Sequence, residues 1–304
     1  MINLFYQLLV YLSEKWGLWV LYTAVRIIAT GYFLFFPRRV AVAVRFYKAL
    51  FPERSTWYAV RSAWKQFHNF AQLYIDRYLI ESPGAIEYTA AGLEHITDAA
   101  EKKTGGILLM SHAGNWEVAA RLLKNHGLPL LLFMSRKTGE QIEDIQKNTL
   151  KKNGVEIIAG RQGRSSPLEI LEGVRYLRRG WVLSIAGDRS GDPGQSFVET
   201  EFLDHIVRLP ETPYALAHAT GVPIYVFFAF RTGPRNYHFT IHPPIFLRRG
   251  SRQSRRQQTR SAVRQYARLL EQAVRQYPFQ WYHFEPFLGR RQPTGGETID
   301  PDVS

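Results

Sequence analysis

The segment Ser111-His-Ala-Gly-Asn-Trp-Glu117 sets a histidine and a carboxylate five residues apart, where an apolar run gives way to a helical one. A spacing of five does not place two side chains on one helix face, which takes three or four. It suits a loop histidine facing a carboxylate in the first helical turn, with Asn115 as the cap. There the helix dipole favours an ionised Glu117, and the carboxylate can hold His112 in the tautomer whose other nitrogen accepts a proton. Such a pair is what general-base activation of a hydroxyl requires. Gly114 allows close backbone approach, and the backbone amides of the turn are candidates for binding a phosphate or an oxyanion. A lone His-x-x-x-x-Glu is a weak pattern, equally met as a capping histidine beside a surface glutamate. Its place in the chain gives it weight.

That place follows from the elements around it. After Gly105-Gly106 the run ILLMS suits a strand buried on both faces. Further strands are expected at Leu128 to Met134, Val155 to Ala159 and Trp181 to Ala186, with helices at Gly139 to Asn153 and Pro167 to Arg179. This alternation predicts an α/β fold: a mainly parallel, mixed sheet flanked by helices. In such sheets ligands bind at the carboxyl ends of the strands, where His112 falls. A helix at Thr212 to Thr220 leads into a strand at IYVFFAF, and Tyr237 to Ile245 is expected to return antiparallel. Upstream, Trp57, Val60, Trp64, Phe67, Ala71, Tyr74 and Tyr78 recur at three and four, so Thr56 to Ile80 is an amphipathic packing helix.

Composition narrows the chemistry. The chain has no cysteine, which excludes disulfides, thiolate metal sites and a cysteine nucleophile. Its histidines show no metal-ligand spacing, so no metal is expected. A formal charge of +13 points to polyanionic partners: nucleic acid, anionic lipid or an acidic protein. Residues 1–45 form a hydrophobic, membrane-associated segment in which Trp16 to Phe36 carries one charge, Arg26, and ends against Pro37-Arg38-Arg39. Spanning, lying in the interface with Arg26 snorkelling, and packing as a buried helix all fit this stretch.

Several ordered motifs resemble those of the late acyltransferases of lipid A biosynthesis, the lauroyl or myristoyl transferases, within the lysophospholipid acyltransferase group. They are AWKQFHNFAQLYIDRYL, GLEHITDAAEKKTGGILLMSHAGNWE, FMSRK, AGDRSGD, FVETEFLDHIVRLPETPYALAHATGVPI and PFQWYHFEPF, running from about Arg61 to Phe287. The resemblance implies a glycerol-phosphate-acyltransferase-like domain over residues 46–288 on the cytoplasmic side of a bacterial inner membrane. It implies acyl transfer without a covalent intermediate: His112, oriented by Glu117, takes the proton of a lipid hydroxyl that attacks a carrier thioester. Acyl carrier protein or coenzyme A would present that thioester, with no further cofactor. Arg136, Asp188 and Arg189 match family positions near the acceptor or the developing charge. Where many members carry Gly after the Phe-Leu pair this chain has Asp204, and Glu199 and Glu201 also depart. A lipid A precursor is thus one candidate acceptor beside other glycolipids, lysophospholipids, amino-acid lipids and polyene-type lipids.

Nine arginines and a single acid lie between Arg248 and Tyr277. On a helix at Arg252 to Tyr277, Arg260, Arg264 and Arg268 form a basic stripe opposite Val263, Tyr266, Ala267, Leu270, Val274 and Tyr277. The stripe suits an acyl carrier protein or an anionic membrane. No nucleic-acid motif accompanies it, so nucleic acid is not expected. A non-catalytic membrane scaffold is the rival class, and acyl transfer or thioester hydrolysis by the purified protein separates the two. Residues 289–304, rich in Gly, Pro and Asp, read as a disordered tail.

Overall fold

The computed structural model describes residues 2–80, 85–124, 127–134, 156–159, 167–189 and 196–292. Its first four helices are α1 (Ile2–Trp16), α2 (Trp19–Phe35), α3 (Pro37–Leu50) and α4 (Thr56–Leu79). Ser55 caps α4 by accepting from the Tyr58 amide. There follow β1 (Glu87–Ala91), α5 (Leu93–Glu101), β2 (Gly106–Met110), α6 (Trp116–Lys124), β3 (Leu130–Met134), β4 (Glu156–Ala159), α7 (Pro167–Arg178) and β5 (Val182–Ala186). Then come β6 (Phe197–Phe202), β7 (His205–Pro210), α8 (Thr212–Thr220), β8 (Ile224–Arg231), β9 (Asn236–Ile241) and α9 (Arg252–Gln276).

Seven strands form one sheet in the order β1-β9-β8-β2-β5-β3-β4. The run from β8 to β4 is parallel, and β9 returns antiparallel to β8 and pairs with β1. This is the expected α/β architecture. Alternation along the central strands feeds two cores: Ile107 and Leu109 face one side, Leu108 the other. Helix α4 joins both cores, giving Ala63 and Phe67 to the first and Ala71 and Ile75 to the second. The expected helix at Gly139 to Asn153 lies outside the described residues, as does most of the expected tail.

Two features lie beyond the sequence reading. One is a separate hairpin, β6–β7, closed by Leu203 and Asp204 at φ +51° and +56°. Two consecutive positive values mark the tight turn that matches strand twist, where glycine is favoured and Asp tolerated. The Glu271 carboxylate accepts from the Leu203 amide and fixes the turn against α9.

The other is the apolar N-terminal stretch, which is not one continuous helix. It breaks at Gly17, at φ +101°, and turns by 91° between α2 and α3. Among the described residues no single helix is long and apolar enough to cross a membrane; only the bent α2–α3 pair meets that length and composition together. Leu21, Val25 and Ala29 of α2 are buried in the core that α4 shares. Trp19, Ile27, Leu34 and Phe35 are exposed, as is Arg26.

Helix α4 is also clamped to α6. The Arg77 guanidinium donates to both oxygens of Glu117, at 2.7 to 3.0 Å, and Arg121 donates to the same carboxylate at 3.4 Å. All three side chains are buried. Removing one member of a buried ion pair strands the opposite charge, which costs about 3–5 kcal/mol. Glu117→Gln should therefore lower unfolding stability by about 3 kcal/mol. Urea denaturation checks this; a loss under about 1 kcal/mol would mean the pair is not a buried clamp.

Candidate active site

His112 and Asp188 meet because of strand register. Strands β2 and β5 are parallel neighbours at the middle of the sheet, with Met110 opposite Ala186. Each chain then runs two residues past its carboxyl end, to His112 and to Asp188. The Gly187 amide donates to the Met110 carbonyl at 2.7 Å and keeps the ends together.

The imidazole Nδ1 lies 2.8 Å from Asp188 Oδ1. Asp188 Oδ2 accepts from the His112 amide at 2.7 Å and from the Trp281 indole N–H at 2.9 Å. An ionised carboxylate only accepts, so Nδ1 carries a proton, and in the neutral ring the lone pair is on Nε2. Among the described residues Nε2 has no protein hydrogen bond, and the ring is about a quarter exposed. Such an arrangement, open on one side and oriented on the other, suits a general base.

The orienting carboxylate is thus Asp188, expected as a substrate contact, and not Glu117. Glu117 is turned away by its bidentate pairing with Arg77, whose burial demands a carboxylate. Asn115 does cap α6, accepting from the Val118 amide at 3.2 Å. The turn's amides are not free as expected. Those of residues 112 to 115 are taken by Asp188, Ser111 Oγ, Gln280 O and Ala229 O. Gly114, at φ +84°, is required there, since an added Cβ would fall 1.9 Å from the Ala229 carbonyl oxygen. Arg136 lies outside the described residues. Arg189 adjoins Asp188, and the two residues line one cavity of about 590 Å³.

The strap 277–292 closes the site from above. The Tyr282 amide donates to the His112 carbonyl at 2.8 Å, and Ala113 pairs with Trp281. Gln66 of α4 donates to the Trp281 carbonyl. Sequence reading included this segment in the resemblance but assigned it no role, and Arg77, Trp281 and His283 were all missed. The signal available was the density of aromatic and polar residues in QWYH.

Electrostatics agree with the geometry. Burial opposes ionisation of Asp188, but the His112 charge and hydrogen bond, then His283 and the Trp281 N–H, hold its carboxyl well below the usual range. His283 stands edge-on to His112 with ring centroids 6.4 Å apart, and its Nδ1 bonds the Glu285 carbonyl at 3.1 Å. Burial pushes it down to about 4, Asp188 working the other way and Arg189 and His112 with it. His283 is therefore a neutral neighbour of His112, and it lines a cavity together with Asp188 and Arg189.

A mainly parallel α/β sheet with a histidine–aspartate pair at the carboxyl ends of adjacent central strands defines a base-activated group-transfer or hydrolytic site. The chain belongs to the bacterial lipid A biosynthesis acyltransferase family, whose model matches residues 23–288. It is also similar to a phosphatidylinositol mannoside acyltransferase of Mycobacterium tuberculosis, 23% identical over 202 residues. That match covers 66% of this chain and 60% of the relative, so the chain spans less than two thirds of the relative's length. A phosphatidylinositol mannoside acyltransferase of Mycolicibacterium smegmatis is 25% identical over 134 residues, 44% of this chain and 42% of that protein.

The His283 shift sets an acid limit on stability. Its folded value lies below the ordinary 6.5, so the unfolded chain binds the extra proton between the two. The contribution is complete above about 6.5 and is lost as pH falls toward about 4. It amounts to about 3 kcal/mol. Asp188 loses its own contribution only below 3.8, a separate window. Unfolding free energies measured from pH 7 to 4 should decline less steeply in His283→Gln, with His218 and His242, also pushed down by burial, supplying residual slope. Parallel curves for the two proteins would refute the assignment.

Proposed function

We propose that the protein is a membrane-associated O-acyltransferase that moves a fatty acyl group from a carrier thioester to a hydroxyl of a glycolipid acceptor. The observation that carries this reading is the His112 Nδ1–Asp188 hydrogen bond, which leaves Nε2 as a free base in a chain of acyltransferase lineage. Nε2 takes the acceptor hydroxyl proton as the oxygen attacks the thioester carbonyl. The C–O bond forms, the tetrahedral oxyanion collapses, and the C–S bond breaks with the imidazolium proton passing to the departing thiolate. Asp188 keeps the tautomer and stabilises the transient imidazolium, as the carboxylate does in hydrolytic triads. Acyl carrier protein or coenzyme A supplies the same pantetheine thioester. A lipid A precursor and a phosphoinositol glycolipid are both acceptors consistent with this chemistry.

The exposed Trp19, Ile27, Leu34 and Phe35 on α2, with Arg26 among them, support docking in the interface of a bacterial inner membrane, with the catalytic domain on the cytoplasmic side. In α9, Arg260, Arg264 and Arg268 are exposed while Val263, Tyr266, Ala267, Leu270 and Val274 are buried. That stripe fits an acidic carrier protein or anionic headgroups.

His112→Ala should reduce transfer on the order of a hundredfold or more in a folded protein. Asp188→Asn should cost about as much through the wrong tautomer, and the double variant far less than the product of the two. Steady-state transfer with a lipid acceptor, after circular dichroism, checks this; near-native turnover in folded His112→Ala removes the proposal.

Membrane docking has its own test. Deleting α2 would uncover Ala71 and Ile75 of α4, so point changes are the sounder probe. Ile27→Glu, Leu34→Glu and Phe35→Glu together should abolish co-sedimentation with anionic vesicles, each forfeiting about 1.5–3 kcal/mol of apolar burial. Unchanged sedimentation would move the anchor elsewhere.

A further inference from the structure

Helix α4 turns a line of polar side chains inward, toward the strap and the loop that carries His112. Gln66 donates to the Trp281 carbonyl, Asn69 to the Phe279 carbonyl at 3.1 Å, and Arg77 to Glu117. Asp76 lies deepest. It is fully buried, and its Oδ1 has no hydrogen bond among the described residues. Its Oδ2 accepts from the Tyr237 hydroxyl and lies 3.5 Å from Arg231 Nε.

Two routes lead from this carboxylate to the residues that follow His112. On the first, the Tyr237 hydroxyl accepts from Asn115 Nδ2 at 3.1 Å, and Asn115 caps α6 through its Oδ1. On the second, Arg231 exchanges two hydrogen bonds of 2.9 Å with the Gln280 side chain, its amide donating to Oε1 and its carbonyl accepting from Nε2. The Gln280 carbonyl then accepts from the Gly114 amide at 2.7 Å. None of Asp76, Tyr237, Arg231 and Gln280 lines the cavity beside Asp188.

Cohesion does not account for this carboxylate. Burial pushes the Asp76 carboxyl up, with Arg231 and the Tyr237 hydroxyl opposing, so the folded chain holds that proton more firmly than the unfolded one. An acid raised in this way takes stability from the fold as pH rises and it ionises. A buried charge that costs stability, and that is tied by two routes to the loop of an oriented imidazole, points to a task in geometry. We infer that Asp76 is a positioning residue of the reaction: through Tyr237 and Arg231 it fixes the loop from Ala113 to Asn115, and with it the seat of His112 against Asp188. The inference rests on the acyl-transfer reading above and adds to it a residue that never meets substrate. Asp188 sets which way the imidazole points, and Asp76 sets where the ring stands.

The test combines steady-state acyl transfer with proton NMR of the full chain, the Nδ1–H resonance of His112 being assigned by its loss in His112→Ala. Asp76→Asn and Tyr237→Phe should each lower kcat on the order of tenfold and leave KM within about twofold, since a misplaced base loses rate steeply with distance. In both variants the Nδ1–H resonance should shift or broaden. In a His112→Ala background either change should cost nothing further, because the residue through which it acts is gone. Tyr237→Phe removes only a hydroxyl and keeps the buried ring, so it stays informative if Asp76→Asn fails to fold. An unmoved resonance in folded variants overturns the inference, whether or not kcat falls. So does a loss of activity that follows the unfolded fraction, or one that persists undiminished in the His112→Ala background, since either marks a structural role. A resonance that moves as expected in a protein that transfers no acyl group supports the positioning and counts against the acyl-transfer reading. Transfer that ignores both substitutions does the reverse.

Discussion

A carboxylate sealed from water at the centre of the molecule must be given its hydrogen bonds by protein, and Asp188 receives three. They come from the His112 amide, the His112 ring and the Trp281 indole. Each belongs to a distant part of the chain, so satisfying one charge gathers the β2 loop, the β5 loop and the C-terminal strap at a single point. A buried charge is tolerated only when fully paired, which makes this junction exacting in geometry. The orientation of the His112 ring is a by-product of that requirement.

A second buried carboxylate performs a different task by the same physics. Glu117 faces two guanidiniums and joins α4 to α6. Close by, Asn115 donates to the Tyr237 hydroxyl at 3.1 Å, and that hydroxyl donates to Asp76. The His112 loop is therefore held from the side by α4 and β9, through residues that never face the cavity. The two acids diverge: Asp188 orients the His112 ring and Glu117 fixes the helix that follows it.

What was legible in the sequence was what depends on local periodicity. The apolar run of β2, the stripe of α4 and the two faces of α9 are written in residues that touch within one element, and their boundaries come out within a residue or two of the observed ones. The β6–β7 hairpin was not legible, because Leu203-Asp204 lacks the glycine that usually announces so tight a turn. The partner of His112 was misassigned for a related reason. Glu117 is five residues away and Asp188 is seventy-six, and only the register of two parallel strands makes the distant one the neighbour. Hydropathy likewise counted the apolar residues of α2 without knowing that Leu21, Val25 and Ala29 are buried in the core that α4 shares.

Trp281 follows Asp188 by 93 residues, and its indole completes the carboxylate's set of donors. During synthesis the polypeptide emerges from its amino-terminal side, so α2 and its exposed aromatic and aliphatic surface are available long before the strap exists. The nascent chain thus presents the apolar face of α2 first and completes the donor set of Asp188 last. The His112–Asp188 junction is therefore among the last parts of the fold to be completed, because its third donor is encoded near the carboxyl end of the described residues.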